Sequence, residues 1–263
     1  MTIRQKIREL YSRLHDAWRM RARRCMLCED VYYPSEALHR DSPLPMAQPH
    51  QNIQGVCPQC RPLLLQRVTG YCPLCGAIYA VRTMLCTPCL SCLHKRPPWD
   101  RFLFYGVYDA VLRDVVKAAK FRFDRTALGV AGELLCLASQ PIWHEKIDVI
   151  IPVPLHISRL RERGGNQCVE MARPLAKLLG VPMRFDLLER VRNTPHQLGL
   201  DAKARRRNLD HAFMASPLCK GMHVLLVDDI MTTGTTVWRC TEALRAAGVA
   251  SVTVLVVART RGH

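Results

Sequence analysis

The chain has 263 residues, 49% of them hydrophobic, which is enough to bury a sizeable core and to hold two modules. No apolar run is long enough to span a bilayer as a helix and none stands uninterrupted at the start, so a soluble, cytoplasmic protein is expected. Lysine and arginine number 38 against 22 aspartates and glutamates, a net charge of +16, so the fitting partner is polyanionic: nucleic acid, a phosphorylated ligand or an anionic membrane surface.

Residues 1–24 carry Ile3, Ile7, Leu10, Leu14 and Trp18 at spacings of three and four, with arginines and lysines over most of the rest. This periodicity predicts a basic amphipathic helical arm. Such an arm packs its stripe on a neighbouring module, the reading favoured here, or meets nucleic acid or anionic lipid.

Residues 25–100 are expected to form a metal-binding module. The chain has 13 cysteines, and eight of them make four C-x-x-C pairs: Cys25/Cys28, Cys57/Cys60, Cys72/Cys75 and Cys89/Cys92. Each pair presents its sulfurs on one tight turn, and two turns close a tetrahedral thiolate shell around zinc. The ribbon-like spacing groups Cys72 and Cys75 with Cys89 and Cys92, and leaves Cys25, Cys28, Cys57 and Cys60 for a second structural zinc. Spacing alone leaves an interleaved pairing open, and leaves Cys86 as an alternative to Cys89. The proline-bearing stretch 41–55 reads as a loop, and Pro97 and Pro98 as a hinge after the module.

From residue 101 the pattern becomes that of an α/β domain, expected over 101–263. Strands are predicted at 102–108, 149–151, 187–191, 224–227 and 251–258, and helices at 110–121, 128–138, 169–179 and 237–247. The strand at 149–151 runs into Pro152, Val153, Pro154, Leu155 and His156, a loop that prolines pre-shape. Arg159, Arg161 and Arg163 follow and offer planar forks to paired phosphate oxygens, the alternative being a solvated basic helix face. Residues 190–213 are basic and without clear period, the signature of a lid or binding segment.

The most informative stretch starts with the apolar run 224–227, which fits a buried parallel strand. It ends on Asp228 and Asp229 and continues through Thr232, Thr233, Gly234, Thr235 and Thr236 into a helical pattern. Gly234 permits a tight turn, so backbone N–H groups and hydroxyls converge on a phosphate-sized concavity at a helix start. Carboxylates at the end of the strand suit the vicinal hydroxyls of a ribose. A ribose 5-phosphate is the implied ligand.

The V-D-D-I-M-T-T-G-T-T stretch resembles the phosphoribosyl-pyrophosphate (PRPP) motif of type I phosphoribosyltransferases. With the C-x-x-C pairs, K-R-P-P-W, D-V-I-I-P-V-P-L-H, R-x-R-G-x-N-Q and Q-L-G-L-x-x-x-x-R-x-x-N-L, the chain from Cys25 onward resembles the ComF family, including its GntX-like members. The resemblance implies a type I phosphoribosyltransferase-like parallel sheet with helices on both faces, preceded by a small zinc module. It implies Mg²⁺ with PRPP at the catalytic pair Asp228 and Asp229, the loop 232–236 beside them, and pyrophosphate at Val153, Pro154, Leu155, Arg159 and Arg163. It also implies a role in DNA uptake or natural transformation, with the acceptor of the ribosyl group unread. The competing expectation is a non-catalytic accessory protein that holds single-stranded DNA and uses PRPP as a regulator or not at all. Gly165 departs from the family, whose members place Phe before Asn-Gln, and looser packing is expected there.

Overall fold

The computed structural model describes residues 22–33, 53–80, 85–192 and 212–261. The expectations for residues 1–21, for most of the 41–55 loop and for the greater part of the basic stretch 190–213 lie outside these residues. The chain divides into two compact units, Met1–Leu63 and Leu64–His263.

In the first unit β1 (Arg23–Arg24) pairs antiparallel with β2 (Val31–Tyr32). Tyr32 is buried, and its hydroxyl accepts the amide of Gly55 at 3.0 Å, tying the strand pair to the segment that leads into Cys57.

The second unit is built on a four-stranded parallel sheet in the order β3 (Arg101–Val107), β8 (Ser251–Arg259), β7 (His223–Met231), β4 (Val149–Pro152). Both faces are covered, which is why its strands read as near-continuous apolar runs. On one face Phe102, Phe104, Ile151, Leu226, Val254 and Val256 pack with Val237, Cys240 and Leu244 of α6 (Thr235–Ala246). The antiparallel pair β5 (Leu188–Arg190) and β6 (Phe213–Ala215) also packs against α6. Over the other face lie α2 (Ala110–Lys117), α3 (Arg125–Ala138) and α5 (Gln167–Leu179), the last two packed on each other. Met183 bridges Ile150 in parallel and extends the sheet beyond β4.

Two features differ from the reading of the sequence. β7 does not stop before the acid pair. It carries both aspartates inside the strand, because β8 is long enough to pair with it as far as Met231 opposite Arg259. Nor is packing loose at Gly165: a Cβ there would stand 2.8 Å from Cζ of Phe123, whose ring takes the space. Phe123 reaches that position from a left-handed backbone (φ 50°) closing a widened helical turn, Ala118–Arg122, after α2. Pro97 and Pro98, read as a hinge, lie in a segment that is tied to this unit by hydrogen bonds. Arg245 donates to the Pro98 carbonyl at 3.0 Å, and the Trp99 indole donates to the Leu74 carbonyl at 2.7 Å.

Candidate functional site

Parallel pairing of β4 and β7, with Pro152 opposite Val227, sends the loop after β4 and the acid pair of β7 out of the same sheet edge. Asp228 and Asp229 are both buried there. Oδ2 of Asp229 lies 3.2 Å from the ammonium of Lys120 and accepts the Gln167 amide at 3.1 Å. Its Oδ1 accepts the Ile230 N–H at 2.6 Å. Oδ1 of Asp228 accepts the Asp229 N–H at 2.9 Å and the Cys168 thiol at 3.4 Å. Among the described residues its Oδ2 has no hydrogen-bond donor and is the oxygen open to a ligand.

Burial, and then the charge of Asp229, push the Asp228 carboxyl up to about 7, against the opposite pull of Lys120. Burial also pushes the Cys168 thiol up, reinforced by both carboxylates, so it sits beside them as a neutral donor. Burial works against the Lys120 ammonium, but Asp229 and Asp228 outweigh it and hold it above its ordinary value. The pair is thus a partly neutralised acidic site with a built-in cation.

Lys120, Gln167 and Cys168 were not identified as site residues from sequence. Gln167 and Cys168 open α5, whose N-cap Asn166 accepts the Cys168 N–H at 3.0 Å and donates to the Val153 carbonyl at 3.0 Å. The Asn-Gln stretch was therefore a usable signal. Lys120 had none, because its place depends on the widened turn at 118–122.

Beyond the acids, Gly234 adopts φ 77° and caps α6. A Cβ there would meet Cε of Met231 at 2.5 Å, the movable end of a flexible side chain, so it is the left-handed φ that calls for glycine. Thr233 and Thr235 pair their hydroxyls at 2.9 Å, while Thr232 and Thr233 are exposed. The first turn of α6 opens here, with its amides and the positive end of its dipole. On the neighbouring loop Val153 is buried and its N–H donates to the Val227 carbonyl at 2.8 Å, fixing the loop to β7. Arg159 and Arg163 lie half-buried on α4 (Ile157–Arg163), which His156 caps, and Arg161 is exposed. An open cleft of about 610 Å³ borders this loop at Pro154, Leu155, Asn166, Phe185 and Arg190, and the threonines do not line it.

The eight predicted cysteines form two sets, Cys25, Cys28, Cys57, Cys60 and Cys72, Cys75, Cys89, Cys92, each with all sulfurs within 4.8 Å of one another. The pairing is sequential rather than interleaved, and Cys86 stands apart with its thiol toward the Val68 carbonyl. Both sets have the same build. A knuckle follows the first pair, closed by a positive φ at Glu29 or Gly76, and a helical turn starts at the second pair, Arg61–Leu63 directly after Cys60 and α1 (Leu90–His94) directly after Cys89. The Cys57 amide donates to Cys25 Sγ at 3.4 Å and the Cys89 amide to Cys72 Sγ at 3.3 Å. Burial raises Cys25, yet backbone donors outweigh it and leave this thiol at about 7, while burial and neighbouring thiols push Cys60 up. All-sulfur shells of this size can hold a metal ion.

The description "Phosphoribosyl transferase domain" matches residues 165–263. Fold and match together define the class: a type I phosphoribosyltransferase-like domain in a chain that also carries two four-cysteine sets. The chain is 36% identical over 221 residues to "DNA utilization protein YhgH" of Salmonella typhimurium strain LT2, covering 82% of this chain and 94% of that one. It is 31% identical over 217 residues to "Competence protein F" of Haemophilus influenzae, covering 80% and 93%. To "Competence protein ComFC" of Bacillus subtilis it is 28% identical over 244 residues, covering 88% and 94%. The chain belongs to the ComF family. No helix among the described residues is long and apolar enough to cross a membrane.

Proposed function

We propose that the chain binds PRPP at the carboxyl edge of β7 and serves DNA uptake or the use of external DNA, in keeping with relatives named for DNA utilization and for competence. The observation that carries this reading is the open Oδ2 of Asp228, set at the same edge as the threonine turn and the loop after β4. Asp228 would accept from a ribose hydroxyl, with Asp229 held in place by Lys120 and Gln167. Thr232, Thr233, Gly234, Thr235 and Thr236, with the first amides of α6, would take the 5-phosphate. Val153, Pro154 and Leu155 would face the pyrophosphate, and Arg159 and Arg163 would offset its charge. Mg²⁺ arriving with PRPP would be held near Asp228 and Asp229 and would stabilise charge on the leaving oxygens. Zinc is the metal proposed for both cysteine sets, in a structural role, since the donor set is all sulfur and closed.

The net charge of +16 favours a second function in the same chain, binding of single-stranded DNA through phosphate contacts. The test is calorimetric titration of PRPP, with and without Mg²⁺, into the wild-type chain and Asp228→Asn, beside DNA binding by fluorescence anisotropy. Mg²⁺-dependent PRPP binding that the substitution abolishes, with DNA binding retained, supports the reading. DNA bound equally by both proteins and PRPP by neither would leave only the nucleic-acid function.

A further inference from the structure

One side chain stands between the second cysteine set and the threonine turn. Arg259, the last residue of β8, is only 7% exposed. Its Nε donates to the Cys75 carbonyl at 3.1 Å. Its Nη1 donates to the Met231 carbonyl at 3.0 Å and also to the Thr232 carbonyl. Cys75 belongs to the sulfur set, whereas Met231 ends β7 and Thr232 begins the turn toward Gly234. The knuckle itself is seated on the sheet. Trp99 holds the Leu74 carbonyl at 2.7 Å, and Gly76 lies so close to Phe102 that an added Cβ would stand 2.3 Å from its ring. A shift of the knuckle therefore reaches Arg259 directly.

We propose that Arg259 is a positioning residue that couples metal occupancy at Cys72, Cys75, Cys89 and Cys92 to the shape of the turn 232–236, so that the metal and a ligand on the turn favour each other. A planar guanidinium holds carbonyls from two segments at once, which a lysine ammonium on its flexible stem does not. Four thiolates around a divalent cation carry a net charge of about −2, and Arg259 is the buried cation next to them. Without the ion the four sulfurs are no longer held together and the knuckle that carries the Cys75 carbonyl is free to shift, and a buried guanidinium that loses this acceptor relaxes toward water, releasing Met231 and Thr232. Linkage requires the reverse effect: whatever fixes the turn must also favour metal retention. The ligand half of this coupling rests on the PRPP reading; the structural half does not.

Amide hydrogen exchange on the full zinc-loaded chain separates the two. The comparison is between wild type, Arg259→Lys and Cys92→Ser, with zinc content measured by elemental analysis and Mg²⁺-PRPP affinity by calorimetry. In Arg259→Lys, zinc content should be unchanged, exchange across 231–236 should be at least about tenfold faster, and PRPP affinity should be about tenfold weaker. Cys92→Ser, altered on the far pair of the set, should lose zinc and show the same faster exchange at 231–236. In both, amides of α5 should stay protected as in wild type, which excludes general unfolding. Unchanged exchange at 231–236, in a Cys92→Ser chain that has lost zinc or an Arg259→Lys chain that has kept it, overturns the coupling. If Arg259→Lys fails to fold, the Cys92→Ser comparison decides. If wild type binds no PRPP, the proposed function fails while the exchange rates still decide the coupling.

Discussion

The Asp228 carboxyl, pushed up to about 7 by burial and by Asp229, gives the fold a definite dependence on pH. Unfolded, this group titrates near 4, so the folded state prefers the protonated form. Its contribution is fully present below pH 4 and is lost as pH rises through about 7. Asp228→Asn, neutral throughout, should therefore unfold at higher denaturant than wild type at pH 8, by up to roughly 4 kcal/mol, with the gap closing toward pH 4. An Asn chain that is the less stable at pH 8 would contradict this. PRPP affinity of wild type should rise from pH 6 to 8 as the open oxygen gains charge, and calorimetry across that range reads it. Lys120 is the complementary case. Its Nζ lies 3.2 Å from Asp229, and Lys120→Met leaves that buried carboxylate to Gln167 and one amide. A loss of about 1–3 kcal/mol is expected in denaturant titrations, below the full cost for a buried pair because the lysine is partly exposed.

At the scale of elements, the turn after β7 depends on a single residue without a side chain. Gly234→Ala puts an alanine at φ 77°, so stability should fall by about 1–2 kcal/mol and PRPP binding should weaken with it. Thermal melts and calorimetry check both. A simpler case is the start of α3, where Asp124 accepts the Ala127 N–H at 2.8 Å. Asp124→Ala should cost about 1 kcal/mol with no effect on ligand binding. The acid pair, the threonine turn and the cysteine pairs could be read from the chain because each is local, its chemistry compressed into a few adjacent residues. What escaped reading was set by partners far along the chain. β7 runs on through Asp228 and Asp229 only because β8 offers it a mate, and Phe123 fills the place beside Gly165 only because the preceding turn is widened. Lys120 and Arg259 belong to the same class: the residues were visible, but their neighbours were not.

For the whole molecule, the two cysteine sets close within different compact units, so metal loss should proceed in stages. Titration with a chelator should release zinc in two phases, and only the loss from Cys72, Cys75, Cys89 and Cys92 should disturb the unit that carries the sheet. Release in one cooperative step would contradict this. Binding of DNA, being carried by arginine and lysine, should weaken steeply as salt is raised from 50 to 200 mM, whereas burial of the sheet core should be indifferent to it. The strand order sets a further constraint. β8, the latest strand in the chain, lies between β3 and β7 rather than at an edge. Among the described residues β8 is the strand partner of β3, so during synthesis β3 must wait for that pairing until residues 251–259 have left the ribosome. The ribosome-bound intermediate is therefore an open half-sheet with an apolar slot, suited to a chaperone, and nascent chains stalled before residue 251 should remain protease-sensitive across β3.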